Sequence, residues 1–155
     1  YWQLVGVPLA LFGILWASIN ASVGVFSVLA HRIESLLGRK KALISLILFS
    51  GFSYLLLGLF QSIWATVFMF IIYFVRGINI PVTRDYLNKI ISSDIRATVL
   101  SVKSLVFRLM FCILGPFLGW ITDIYSLNIA ILSAGTIFLF LGLIPLLFLH
   151  KHKAL

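Results

Sequence analysis

The chain has 155 residues, 62% of them hydrophobic and only 10% charged, with a mean hydropathy of +1.16. A soluble domain carries about a quarter charged residues, so this composition excludes a water-facing surface and fits several membrane spans of roughly 20 apolar residues each. The net charge of +8 gathers into no basic stripe on a soluble face, which excludes docking on nucleic acid.

No Asp, Glu, Lys or Arg precedes Arg32, and the apolar stretch from about Gly6 to Ala30 is the first predicted helix. A basic loop, His31 to Lys41, follows with Arg32, Arg39, Lys40 and Lys41. The next charge-free run, Ala42 to Val75, is too long for one span at about 1.5 Å per residue. Gln61 and Ser62 beside Trp64 divide it, which predicts helices over about 42–60 and 63–82. Arg84 to Ile91 alternates charged and apolar residues at helical spacing, the pattern of a short helix lying in the membrane interface. Ser92, Ser93 and Asp94 then offer capping oxygens to a helix over about 97–121, and a last one covers about 128–148. The predicted fold is all-α and integral to a membrane, one transmembrane domain over 1–155 with five helices.

Orientation follows from Lys and Arg in the short loops. Arg32, Arg39, Lys40 and Lys41, then Arg84, Lys89 and Arg96, then Lys151 and Lys153 all fall on one side. The opposite turns carry neither residue, and Trp2, Trp64, Trp120 and Tyr125 lie near that face as an aromatic belt would. The basic side is expected in the cytoplasm and the chain in a cell membrane, the bacterial inner or plasma membrane. This topology puts Tyr1 outside with no initiator Met, basic leader or cleavage site before it. An odd number of spans starting there is expected of a piece of a larger membrane protein.

Three motifs carry a family resemblance: Phe74-Val75-Arg76-Gly77 followed by Pro81; Asp94-Ile95-Arg96-Ala97-Thr98-Val99-Leu100-Ser101; and Gly115-Pro116-Phe117-Leu118-Gly119 with Asp123. With them the chain resembles the C-terminal half of a major facilitator superfamily transporter. The run from Ser27 to Arg32 and on through Gly38, Arg39, Lys40 and Lys41 is similar to that family's second Gly- and Arg-rich loop, departing from it where His31 takes the acidic position and Ser27 the leading glycine. The resemblance implies five helices of a six-helix repeat, an N-terminal half of the same transporter as partner, and a small-molecule substrate carried by alternating access.

Small residues let helices approach closely in lipid. Gly13, Ala17, Asn20, Gly24 and Ser27 share one face of the first helix, and Ser101, Ser104, Arg108, Cys112, Gly115 and Gly119 one face of the fourth. A mid-membrane amide such as Asn20 wants a partner, either another helix or a substrate. Arg76 and Arg108 lie inside predicted spans, where charge is costly and marks function. Their expected depths are about 9 Å and 8 Å from the nearer end, so snorkelling and a place in the transport pathway are both open. Asn79 and Thr83 extend the Arg76 face, and Lys103 is expected to reach the interface. Gly115-Pro116 forms either a hinge or a fixed kink, while Pro81 and Pro145 fall near helix ends.

No carboxylate occupies a span centre, and His31, His150 and His152 give no metal set. Cys112, the single cysteine, reads as a small packing residue. No cofactor is expected, and no nucleophile, base or metal cluster points to an enzyme. The two arginines suit an anionic solute, an apolar lining suits drug efflux, and a non-transporting scaffold or assembly subunit is the alternative.

Overall fold

The computed structural model describes residues 1–151, with all side chains except those of residues 39, 40, 90 and 145–151. Its architecture is five helices in chain order: α1 Phe12–Leu37, α2 Arg39–Leu59, α3 Thr66–Ile90, α4 Ser93–Ile124 and α5 Leu127–Lys151. No strand occurs among the described residues, and all five helices are long and apolar enough to cross a membrane. Large apolar side chains such as Phe107, Phe111, Ile113 and Phe140 stand exposed. So much outward apolar surface is compatible with a multi-pass membrane protein, because soluble proteins rarely leave contiguous apolar patches of more than a few hundred Å².

The helix ends differ from those expected, for local reasons. α1 starts at Phe12 rather than near Gly6, because Gly6 takes φ +78° and Pro8, with φ −58° and ψ 137°, leads into a separate 3-10 turn at Leu9–Leu11. The expected loop from His31 is helical as far as Leu37, since Ile33 packs on a buried cluster of Ala30, Leu46, Val75, Ile78 and Val82. Gly38 alone joins α1 to α2, with φ 73° and ψ 156°, a region of backbone space essentially reserved for glycine. The predicted break at Gln61 and Ser62 is present, and the Ser62 hydroxyl accepts from the Trp64 N–H at 3.3 Å.

α3 does not end near Val82. It runs through Pro81 to Ile90 and absorbs the segment expected as a separate interfacial helix, whose Lys89 and Asp85 pair one turn apart at 2.5 Å. Ser92 gives α4 no side-chain cap, and the Ser93 hydroxyl donates to Asp94 instead. Arg96 does the joining, donating at 3.2 Å to the carbonyls of Asn88 and Ile91. A cation on the last carbonyls of a helix also favours its dipole.

α2 is the centre of the bundle, packing on α3 and α5 and more lightly on α1, while α1 also packs on α3 and α4 on α5. The α2–α5 seam is antiparallel and lined with glycine. A Cβ on Gly58 would stand 2.7 Å from Leu132 Cγ, one on Gly142 2.6 Å from Ile47 Cγ2, and Gly51 and Gly135 are as closely covered by Leu139 and Tyr54. Such approach is how helices associate where lipid gives no hydrophobic drive. At the end away from the basic residues, Trp2 and Val7 bury against Ile19 with Met69, Phe70 and Tyr73 around them. The Tyr1 hydroxyl donates to the Phe60 carbonyl at 2.7 Å.

Candidate solute site

α1 and α3 run in the same direction, their contacts advancing together from Trp16 beside Tyr73 to Val23 beside Gly77. At the first of these the Trp16 and Tyr73 rings meet edge to face, centroids 6.0 Å apart. One turn further along each helix come Asn20 and Arg76, at the same level because the helices are parallel. The Arg76 guanidinium lies 5.6 Å from the centroid of the Tyr73 ring. Two helices thus bring two rings, an amide and a cation close to one level.

α3 continues to Ile90, but its charged end begins at Arg84, so Arg76 stands about 15 Å from Thr66 and about 12 Å from Arg84 at the helical rise, within the apolar part of the helix. Its side chain is exposed. No carboxylate pairs with it among the described residues; Glu34, Asp85, Asp94 and Asp123 all belong to the end thirds of their helices. A cation in this position needs an anionic or polar partner to offset its transfer from water.

The other predicted residues fall elsewhere. The Asn20 amide N–H bonds the Trp16 carbonyl of its own helix at 2.8 Å and no other helix among the described residues. Asn79 accepts from the Thr83 hydroxyl at 2.8 Å, one turn beyond Arg76. Arg108 is not gathered to Arg76; with Leu100, Ser101, Ser104 and Leu105 it lines an open groove of about 430 Å³ on the flank of α4. Lys103 lies 5.9 Å from the Phe107 ring on its own helix.

The predicted small-residue faces are not where this chain packs. Gly13 and Gly24 of α1, and Gly115 and Gly119 of α4, have nothing within 4 Å of a Cβ position, and Pro116 sits exposed inside an uninterrupted helix. Their hydroxyl neighbours are satisfied locally: Ser27 bonds Gly24 and Ser104 bonds Leu100, which lets a polar residue face lipid at little cost. Of the basic loop motif, Arg32 is on α1, Gly38 is the joint, and the side chains of Arg39 and Lys40 lie outside the described residues. So do those of Pro145, His150 and Lys151, and the whole of His152 and Lys153. No group of three or more His, Cys, Asp or Glu able to hold a metal occurs among the described residues.

Sequence reasoning missed Trp16 and Tyr73, because aromatic residues in an apolar helix read as lipid-facing bulk. The signal available was Tyr73 three residues before Arg76, a spacing at which side chains on a helix meet. Comparison with family models, curated proteins and solved structures finds no match to this chain.

Proposed function

We propose that this chain is part of a secondary transporter of the major facilitator type, five helices of a six-helix repeat that works with a second half to pass a small molecule by alternating access. The basic end faces the cytoplasm, and the protein sits as a multi-pass chain in the cell membrane, inner or plasma. The observation that carries this reading is Arg76, an exposed cation within the apolar part of α3, without a carboxylate partner among the described residues and 5.6 Å from the ring of Tyr73, which meets Trp16 of α1. Transporter sites lie near the bilayer midplane, and intramembrane charge is kept where it handles a solute or an ion. The ordered motifs around Arg76, Arg96 and Gly115-Pro116 support the same family. Arg108 and its groove on α4 are a second place where solute would meet charge, and Asn79 extends the path from Arg76 toward the basic end.

Alternating access is tested without knowing the solute. In a Cys112→Ser background, a cysteine placed by Asn20→Cys is challenged with a membrane-impermeant maleimide in sealed vesicles of each orientation. Labelling from both sides is the expected result; labelling from one side only, or from neither, removes the transporter reading.

A second reading is favoured by the open glycine faces of α1 and α4. Those faces are shaped for other helices, as in a scaffold or assembly subunit that transports nothing. It predicts one-sided or absent labelling of Asn20→Cys, together with stable co-purification of another membrane protein.

A further inference from the structure

Trp16, Tyr73 and Arg76 form a continuous shelf: an edge-to-face ring pair at 6.0 Å, then a guanidinium 5.6 Å from the second ring. Trp16 and Arg76 are both exposed and Tyr73 is half-buried between them, so the shelf is open along its length. The apolar part begins toward the end held by Trp2 and Ile19, and the charge comes one turn deeper. Asn20 stands close to the level of the charge, its amide bonded only to the Trp16 carbonyl among the described residues.

Two partners would answer an unpaired guanidinium within the apolar part of a helix: a carboxylate from another helix, or a solute anion. A protein carboxylate would be satisfied by Arg76 alone. It would leave unexplained the two rings leading up to the charge and the amide of Asn20 at its level. A ligand with an apolar body and an anionic end uses all of them. Its body lies against Trp16 and Tyr73, and two of its oxygens take the paired N–H groups that guanidinium presents to carboxylate and phosphate.

We infer that the α1–α3 shelf binds organic anions, aromatic or otherwise planar and apolar at one end and carrying a carboxylate or phosphate at the other, with Arg76 holding the charged group. The inference rests on the transporter reading for the passage of such a solute, and not for its binding. Cationic and neutral compounds of the same shape leave Arg76 unmatched and are rejected, because they offer no anion to its charge-assisted hydrogen bonds.

The test is a titration of the purified full protein in lipid nanodiscs with benzoate, phenyl phosphate, benzamide and benzylamine, read by tryptophan fluorescence, with Trp16→Phe identifying the contribution of Trp16. The expected result is saturable quenching by the two anions and none by benzamide or benzylamine. Arg76→Gln weakens anion binding by about tenfold or more, the effect of losing hydrogen bonds to a charged group, and Arg76→Lys recovers part of it. Protection of Asn20→Cys from maleimide by benzoate gives a second readout that does not depend on fluorescence. Circular dichroism and gel filtration show that each variant is folded.

Failure of both anions to bind or protect the folded protein overturns the inference. So does binding that is unchanged in folded Arg76→Gln, in which case Arg76 pairs with a carboxylate of another helix. Anion binding with one-sided labelling of Asn20→Cys keeps the site and removes the transporter. Two-sided labelling without anion binding keeps the transporter and removes the site's proposed chemistry.

Discussion

The carbonyl oxygen of Val23 in α1 lies 2.7 Å from the point where a Cβ on Gly77 of α3 would stand. The obstacle is backbone, which cannot rotate away as a side chain can. Gly77→Ala therefore pushes α1 off α3 at an expected cost of about 1–3 kcal/mol, typical of overpacking. The same displacement parts Trp16 from Tyr73, so thermal unfolding followed by circular dichroism should show a lower Tm, and near-ultraviolet aromatic signals should change with it.

Gly58 and Gly119 make a matched pair of substitutions. A methyl group at Gly58 meets Leu132 and the Asn128 carbonyl, whereas at Gly119 it meets nothing within 4 Å. Gly58→Ala should lower the Tm of the detergent-solubilised protein. Gly119→Ala should leave it unchanged or raise it, since alanine in a helix is favoured over glycine by roughly 0.5–1 kcal/mol. A large loss on Gly119→Ala would reveal a helix seated on α4.

Gly38→Ala puts a side chain at φ 73° and ψ 156°, a conformation costing about 1–3 kcal/mol for other residues. The strain falls on the only residue between α1 and α2. Its expected signature is faster amide exchange at the basic ends of both helices, with the α2–α5 seam unaffected.

The Tyr1 hydroxyl donates to the Phe60 carbonyl at 2.7 Å and receives the Ser62 N–H at 3.3 Å. Tyr1→Phe should cost about 1 kcal/mol, the net worth of a hydrogen bond. Hydrogen exchange should rise at Ser62 and Trp64 and nowhere else.

Orientation is read by labelling in the Cys112→Ser background. Ser62→Cys, at the end free of Lys and Arg, should react with an impermeant maleimide on intact cells. Leu37→Cys should react only after permeabilisation. The reverse pattern would overturn the reading taken from Arg32, Lys41, Arg84 and Lys89.

The apolar spans and the turn at Gln61 and Ser62 were legible because membrane helices announce themselves by length and composition. The basic ends were not. Charged residues from His31 to Leu37 and from Arg84 to Ile90 look like loops, yet a helix carries them as readily as a loop does once it leaves the hydrocarbon. Glycine was legible as a helix-contact residue but not by location: Gly51 and Gly58, like Gly135 and Gly142, recur every seven residues on the faces that meet, while the richer stripes on α1 and α4 meet nothing in this chain. Of the candidate site, Asn20 and Arg76 were found singly. Their common level depends on α1 and α3 packing side by side and parallel, which no local pattern encodes.

A joint of one residue sets what α1 and α2 can do relative to each other. With Gly38 as their only link, neither can slide along the other's axis, because there is no slack chain to draw on. Opening and closing about that point, like the blades of scissors on a pin, needs only two torsion angles in the one residue type that turns them freely. Any motion that widens the far ends of α1 and α2 therefore pivots at the basic surface and grows with distance from it, so that the Tyr1 clasp on the α2–α3 turn sits where the swing is widest.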